Sequence, residues 1–249
     1  MNQQLAVPPP ARREWAYFLD FDGTLLELAP TPDAIVVDAA LPILLDDLRA
    51  ACGGAVALVS GRALDDLERR LALPALIKAG QHGLERRDAA GQLHRHATPQ
   101  LAKQAIRVAL LPFIAAHPAL LLEDKGLTLA LHYRQAPELA TEAHSLLLQL
   151  VDEADHGLMV QQGKSVLEVR PAGIDKGTTL VDYLDEPPFR GRRPVFVGDD
   201  RSDEHAFQLV NDRGGISVGV GAGTLNARYR LPGVRAVRAW LAGLTSRRA

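Results

Sequence analysis

One cysteine, Cys52, stands among 249 residues, so no disulfide can form within the chain, and a reducing compartment suits it. It precedes Gly53-Gly54 at the expected end of a helix, a place for packing more than for reactivity. An excess of charge of one sign is also missing. The chain has 28 Lys and Arg against 30 Asp and Glu, a net charge of −2, which argues against nucleic acid or an anionic membrane as the main partner. No stretch of about 18 apolar residues runs without charge, so no transmembrane helix is expected. The first ten residues lack an apolar core and Arg12-Arg13 leads into Glu14, so no signal peptide is expected. There is no internal repeat and no low-complexity segment. A soluble, cytoplasmic protein is the expectation. At this length, 47% hydrophobic content suffices for one large domain or two modest ones with real cores.

What is present centres on Ala16-Tyr17-Phe18-Leu19-Asp20-Phe21-Asp22-Gly23-Thr24. Residues 17–19 read as a short buried strand that stops abruptly at Asp20. Asp20 and Asp22 then crowd one point as Gly23 turns the chain, at a strand's carboxyl end, where open α/β sheets bind ligands. Crowded carboxylates repel unless a cation or a proton lies between them. Mg²⁺ with a phosphate fits, because Mg²⁺ favours one or two carboxylates plus substrate oxygens. The plainer alternative for Asp-Gly-Thr is a helix cap.

Strand and helix alternate along the first part: a helix over 38–51, a strand over 55–59, a helix over 64–71 and a strand over 75–77. That rhythm argues for a doubly wound parallel sheet. A polar hairpin is expected over 84–96, turning at Ala90-Gly91. From 98 to 173 the order becomes helix, two strands, helix, two strands, with the second strand pair, over 158–169, turning at residues 161–164. This reads as an inserted α+β unit. The alternation then resumes, with helices opening at Lys176 and Ser202, strands over 195–197 and 216–218, and a closing helix near Trp240. The expected division is 1–97 and 174–249 for the core and 98–173 for the insert.

Three further pieces sit where they could meet Asp20. Ser60 ends the second strand, and its hydroxyl with the amides of Ser60-Gly61-Arg62 suits a phosphate oxygen. Lys176 opens a helix, where a cation is disfavoured by the dipole, so a phosphate or the Asp20 carboxylate would explain it. After the strand over 195–197 comes Gly198-Asp199-Asp200-Arg201-Ser202-Asp203-Glu204. Asp199 or Asp200 could complete a Mg²⁺ shell begun by Asp20, while Asp203 and Glu204 could support it. For Asp203 and Glu204 taken singly, a helix N-terminus is the alternative.

DFDGT, SGR, the Lys of DKG and GDDRSDE resemble, in order, the four motifs of the haloacid dehalogenase-like (HAD) phosphatases, and the resemblance spans the chain. It implies a HAD-like core with a cap, Asp20 as the nucleophile that forms an aspartyl phosphate, and Asp22 as general acid and base. It also implies Ser60 and Lys176 as phosphate ligands, and Mg²⁺ held by Asp20, Asp22 and Asp199 with Asp200 and Asp203 behind them. Within that superfamily, Gln81-His82-Gly83, the segment from Glu123 to Arg134 and the segment from Gly163 to Pro171 resemble trehalose-6-phosphate phosphatases. Ser202 stands where that group usually has Thr. The implied substrate is trehalose 6-phosphate. Sucrose phosphate or mannosylglycerate phosphate is the neighbouring alternative, and a catalytically silent regulatory domain a more distant one.

Period-two patterning bears on the insert independently. Glu123 and Lys125 fall on one strand face, opposite Leu120, Leu122 and Asp124. Leu127, Leu129 and Leu131 oppose Thr128, Ala130, His132 and Arg134, and Lys164 and Glu168 alternate with Leu167 and Val169. One sheet face is thus apolar and the other polar. The polar face is either solvated or closed over a polyhydroxylated ligand. With the resemblance, Glu123, Lys125, Lys164 and Glu168 become expected sugar contacts, beside Ser60, Gly61, Arg62 and His82.

Overall fold

The computed structural model describes residues 6–154, 157–223 and 226–245. His96–Ile174 form one compact unit, and the described residues before and after it form another. None of the described helices is long and apolar enough to cross a membrane.

The first unit begins with β1 (Ala16–Leu19), α1 (Ala40–Ala51), β2 (Val56–Val59), α2 (Leu64–Arg70) and β3 (Ile77–Gly80). Two antiparallel strands, β4 (Glu85–Arg87) and β5 (Leu93–Arg95), extend the sheet beyond β3. In the second unit come α3 (Gln100–Ala116), β6 (Leu121–Asp124), β7 (Leu129–His132), α4 (Ala140–Ala154), β8 (Leu158–Gly163) and β9 (Val166–Pro171). The chain returns to the first with α5 (Lys176–Leu184), β10 (Pro194–Gly198), α6 (Glu204–Asp212), β11 (Ile216–Val220), β12 (Tyr229–Leu231) and α7 (Val234–Thr245).

The eight-stranded sheet runs β12-β11-β10-β1-β2-β3-β4-β5, parallel from β12 to β3. Its central strands are apolar throughout because both faces are covered. Tyr17 and Leu19 pack with α1, α2 and α7, whereas Ala16 and Phe18 pack with α5 and α6. The chain winds from β1 to β3 in one direction, then resumes on the other side of β1 with β10. That reversal places the switch point of the sheet beside β1. Leu19 is level with both Leu58 and Val197, so Asp20, Ser60 and Asp199 all emerge from the same edge.

The second unit is a four-stranded antiparallel sheet, β6-β7-β9-β8, with α3 and α4 on one face. Leu129, Leu131, Leu167 and Val169 point to Ile106, Leu110 and Leu147 of those helices. The apolar face is therefore the helix-bearing one.

Three elements differ from the sequence expectation. The third strand occupies Ile77–Gly80 and not 75–77, because Lys78 is carried inside it. Its ammonium donates to the carbonyls of Leu73 and Leu76, at 2.5 and 3.1 Å, so the charge does not end the strand. The β8–β9 turn lies at Lys164-Ser165, with Ser165 at φ +66°, two residues past the expected centre. Gln161 and Gln162 instead pair with Glu168 and Leu167 in the ladder. Strand β12 was not foreseen: three residues at a sheet edge carry too short a pattern to register.

Candidate active site

The site is built at the carboxyl ends of β1, β2 and β10 and at the start of α5, all within the first unit. Asp20 is buried directly after β1. Its Oδ1 accepts from Lys176 Nζ at 2.7 Å, and its Oδ2 accepts from Thr24 Oγ1 at 3.1 Å. Lys176 also donates to Asp203 Oδ1 at 2.6 Å, and its side chain is 2% exposed. Burial opposes a charge on this lysine, but Asp20 and Asp203 outweigh it and hold the ammonium well above its ordinary pKa. Helix α5 starts here because Asp175 caps it. Its carboxylate accepts from Thr178 N at 2.9 Å, while Thr178 Oγ1 accepts from Asp175 N at the same distance.

Asp199 follows β10, and its Oδ1 lies 3.4 Å from Thr24 Oγ1. One carboxylate oxygen each from Asp20, Asp199 and Asp203 come within 4.8 Å of one another, a donor set for a hard cation. Burial pushes the Asp203 carboxyl upward against the pull of Lys176. Two glycines make room for this group. A Cβ at Gly23, where φ is +81°, would lie 2.2 Å from Asp199 Oδ2, and one at Gly198 would lie 2.3 Å from Asp203 Oδ2.

The three carboxylates that lie together are not the same three that the sequence named. Asp22 was expected with Asp20 and Asp199, but its carboxylate is drawn to Arg62, which donates Nε to Oδ2 at 2.6 Å and Nη2 to Oδ1 at 2.9 Å. Asp203, expected behind the metal, stands among the three. Asp200 accepts from Arg201 N and caps the short turn of Arg201–Asp203. Burial, opposed by Arg62, holds the Asp22 carboxyl above its ordinary range.

Ser60 is buried at the end of β2, and its Oγ accepts from Arg62 N at 3.2 Å. The Arg62 amide thus has a local partner. Its guanidinium is likewise engaged by Asp22 and Asp66. His82 sits over this loop. Its backbone N–H donates to Ser60 O at 2.9 Å, and a Cβ at Gly61 would lie 2.7 Å from its Nε2. Sequence reasoning left Thr24 and Asp66 without a role. Thr24 gave no separate signal within DFDGT, but the spacing of Arg62, Asp66 and Arg70 by four was available as a helix-face pattern.

In the second unit Glu123, Ala130, Glu168 and Gln161 lie side by side across the sheet. Thr128 Oγ1 donates to Glu168 Oε1 at 2.6 Å, Lys125 Nζ to the same oxygen at 3.4 Å, and His132 Nε2 lies 2.8 Å from Glu123 Oε2. These polar groups share the face away from α3 and α4. Asp124 is on the other face, where it pairs with Lys103 of α3 at 2.6 Å. Lys164 is exposed in the β8–β9 turn, outside the ladder positions of Glu123 and Glu168.

Comparison with known proteins fits this arrangement. The trehalose-phosphatase family profile matches residues 18–234. The trehalose-6-phosphate phosphatase of Escherichia coli is 42% identical over 247 residues, which cover 99% of this chain and 92% of that one. The C-terminal domain of trehalose-6-phosphate phosphatase from Candida albicans superposes with a TM-score of 0.83 at 21% identity, covering 97% of this chain and 99% of that one. A phosphatase of the haloalkanoate (HAD) superfamily from Bacteroides thetaiotaomicron gives a TM-score of 0.62 at 18% identity, covering 92% and 93%. With its profile matched across both units and the acids gathered at the sheet edge, the chain belongs to the trehalose-phosphatase family.

Proposed function

We propose that the protein hydrolyses trehalose 6-phosphate to trehalose and phosphate, with Asp20 as nucleophile, Asp22 as acid and base, and Mg²⁺ as the metal. The observation that carries this reading is the clamp on Asp20, whose two oxygens are held by Lys176 and Thr24 at the carboxyl edge of the sheet. An Asp20 oxygen attacks phosphorus as the bond from phosphorus to the sugar oxygen breaks, and Asp22 gives that oxygen its proton. Asp22 then takes a proton from water as the water oxygen attacks the aspartyl phosphate, which frees phosphate and restores Asp20. Ser60 and Lys176 hold phosphate oxygens. The all-oxygen donor set of Asp20, Asp199 and Asp203 fits Mg²⁺. Bound there, Mg²⁺ would neutralise the phosphate charge facing the acids.

The direct test is phosphate release from a panel of sugar phosphates, with Mg²⁺ and with EDTA. Trehalose 6-phosphate should be turned over fastest and EDTA should stop the reaction. Equal rates across the panel would sink the substrate assignment.

The general acid role predicts a dependence on the leaving group. Asp22→Asn should slow single-turnover phosphoryl transfer from trehalose 6-phosphate by about 10²–10⁴-fold. The loss with p-nitrophenyl phosphate should be far smaller, since nitrophenolate leaves without a proton. Equal losses on both would argue against the role.

For the polar face of the second unit, we infer contacts to the sugar through Glu123, Lys125 and Glu168. Replacing each by Ala should lower kcat/KM for trehalose 6-phosphate at least tenfold, about 1.4 kcal/mol of binding used in the transition state. Turnover of p-nitrophenyl phosphate should stay close to wild type. Parallel loss of both activities would instead mark these residues as structural supports.

A further inference from the structure

Arg62 was expected at the phosphate, yet its donors are used elsewhere. Nε and Nη2 grip both oxygens of Asp22, Nη1 donates to Asp66 Oδ2 at 2.7 Å, and Nη2 also reaches the carbonyl of Pro32 at 3.0 Å. The side chain is 10% exposed. Its far anchor is itself anchored. Asp66 Oδ2 accepts from Arg70 Nε at 2.7 Å, and Asp66 Oδ1 from Arg69 Nη2 at 3.0 Å. Arg70 in turn donates to the carbonyls of Ile35 and Pro32, at 3.3 and 3.4 Å. Arg62 precedes α2, whereas Asp66 and Arg70 lie one and two turns further on within it, so the helix backbone holds the frame.

A carboxylate on a single rotatable stem has a broad terminal torsion and does not by itself keep one plane. A bidentate guanidinium removes that freedom, because the planar fork matches both oxygens at once. We propose that Arg62, braced by Asp66 and Arg70, is the positioning residue that sets the orientation of the Asp22 carboxyl for proton transfer, and that it does not bind the substrate's phosphate. The proposal rests on the reading of Asp22 as general acid. It assigns chemistry to a frame that would otherwise count as surface ion pairing on α2.

The test compares Arg62→Gln, Arg62→Lys, Asp66→Asn and Asp22→Asn with wild type, using trehalose 6-phosphate and p-nitrophenyl phosphate, with thermal melting as the check on folding. In single-turnover phosphoryl transfer, the step that depends on the leaving group, Arg62→Gln should slow the sugar phosphate at least tenfold and p-nitrophenyl phosphate less than about threefold, while both KM values stay within about twofold. Arg62→Lys keeps a cation beside Asp22 but cannot grip Asp22 and Asp66 together, so it should recover part of the lost single-turnover rate. Asp66→Asn should show the same leaving-group bias more weakly. In an Asp22→Asn background, Arg62→Gln should add no further bias, because its effect runs through the missing carboxyl.

A rise in KM for both substrates would overturn the proposal and return Arg62 to the phosphate. Equal single-turnover losses on both substrates, or no loss, would also overturn it. Should Arg62→Gln fail to fold, Arg62→Lys decides by the same criteria. If Asp22→Asn shows the leaving-group bias and the Arg62 variants do not, the positioning role alone fails. If Asp22→Asn itself shows none, the acid assignment fails and takes this proposal with it.

Discussion

Asp20→Asn should leave a folded protein with essentially no turnover, a loss of more than ~10⁴-fold in kcat with any phosphate monoester. The substitution keeps shape and volume. The Asn carbonyl can still accept from Lys176, and its amide can donate to Thr24, reversing the bond that Thr24 Oγ1 now makes to Oδ2. What is lost is the charged oxygen able to attack phosphorus. Because the substitution also removes one of three crowded carboxylates, it should not weaken the fold. Melting behaviour should therefore stay close to wild type while activity disappears. Phosphate release near the wild-type rate, from protein shown by mass spectrometry to be free of deamidation, would remove Asp20 from the nucleophile position.

Lys176→Met should damage activity and stability together, which separates it from Asp20→Asn. The ammonium is almost completely buried between Asp20 and Asp203. Without it, two buried carboxylates face each other, with Asp199 close by, and lose a charge-assisted hydrogen bond each. Breaking a buried ion pair from one side costs about 3–5 kcal/mol. In a chain of this size that is a fall in melting temperature on the order of 10 °C. The loss should be smaller at millimolar Mg²⁺ than in EDTA, because a divalent cation held by the same acids would replace part of the missing charge. An unchanged melting temperature would show that Lys176 is not what balances these acids. A loss indifferent to Mg²⁺ would count against a cation site at Asp20, Asp199 and Asp203.

Much of this was legible along the chain, for local reasons. The central strands β1, β2 and β10 are short, wholly apolar and followed by Asp or Ser, so both their burial and the edge from which the candidate site residues emerge follow from neighbouring residues. The insert was separable because its two helices and four strands break the alternation. Its polar and apolar faces followed from period two, and the pairing of Asp124 with Lys103 on the helix side agrees with that count. Spacing by four was likewise present for Arg62, just before α2, and for Asp66 and Arg70 within it. Where the reading slipped on the third strand, backbone carbonyls a few residues away took up the charge that had seemed to end it. Lys78 stays in its strand because two carbonyls receive its ammonium.

Which acids face one another was decided only by the tertiary structure. Asp20 and Asp22 are two residues apart and look equivalent in sequence, yet one is clamped by a lysine 156 positions away and the other by an arginine 40 positions away. Asp199, Asp200 and Asp203 are close together in the chain, but Asp200 turns to cap a backbone amide while the others enter the space left by Gly23 and Gly198. A side chain's direction at a strand end depends on the cation that reaches it and on the room its neighbours leave. Both are set by segments that meet only when the sheet assembles, so spacing could name the acids and the fold alone could pair them.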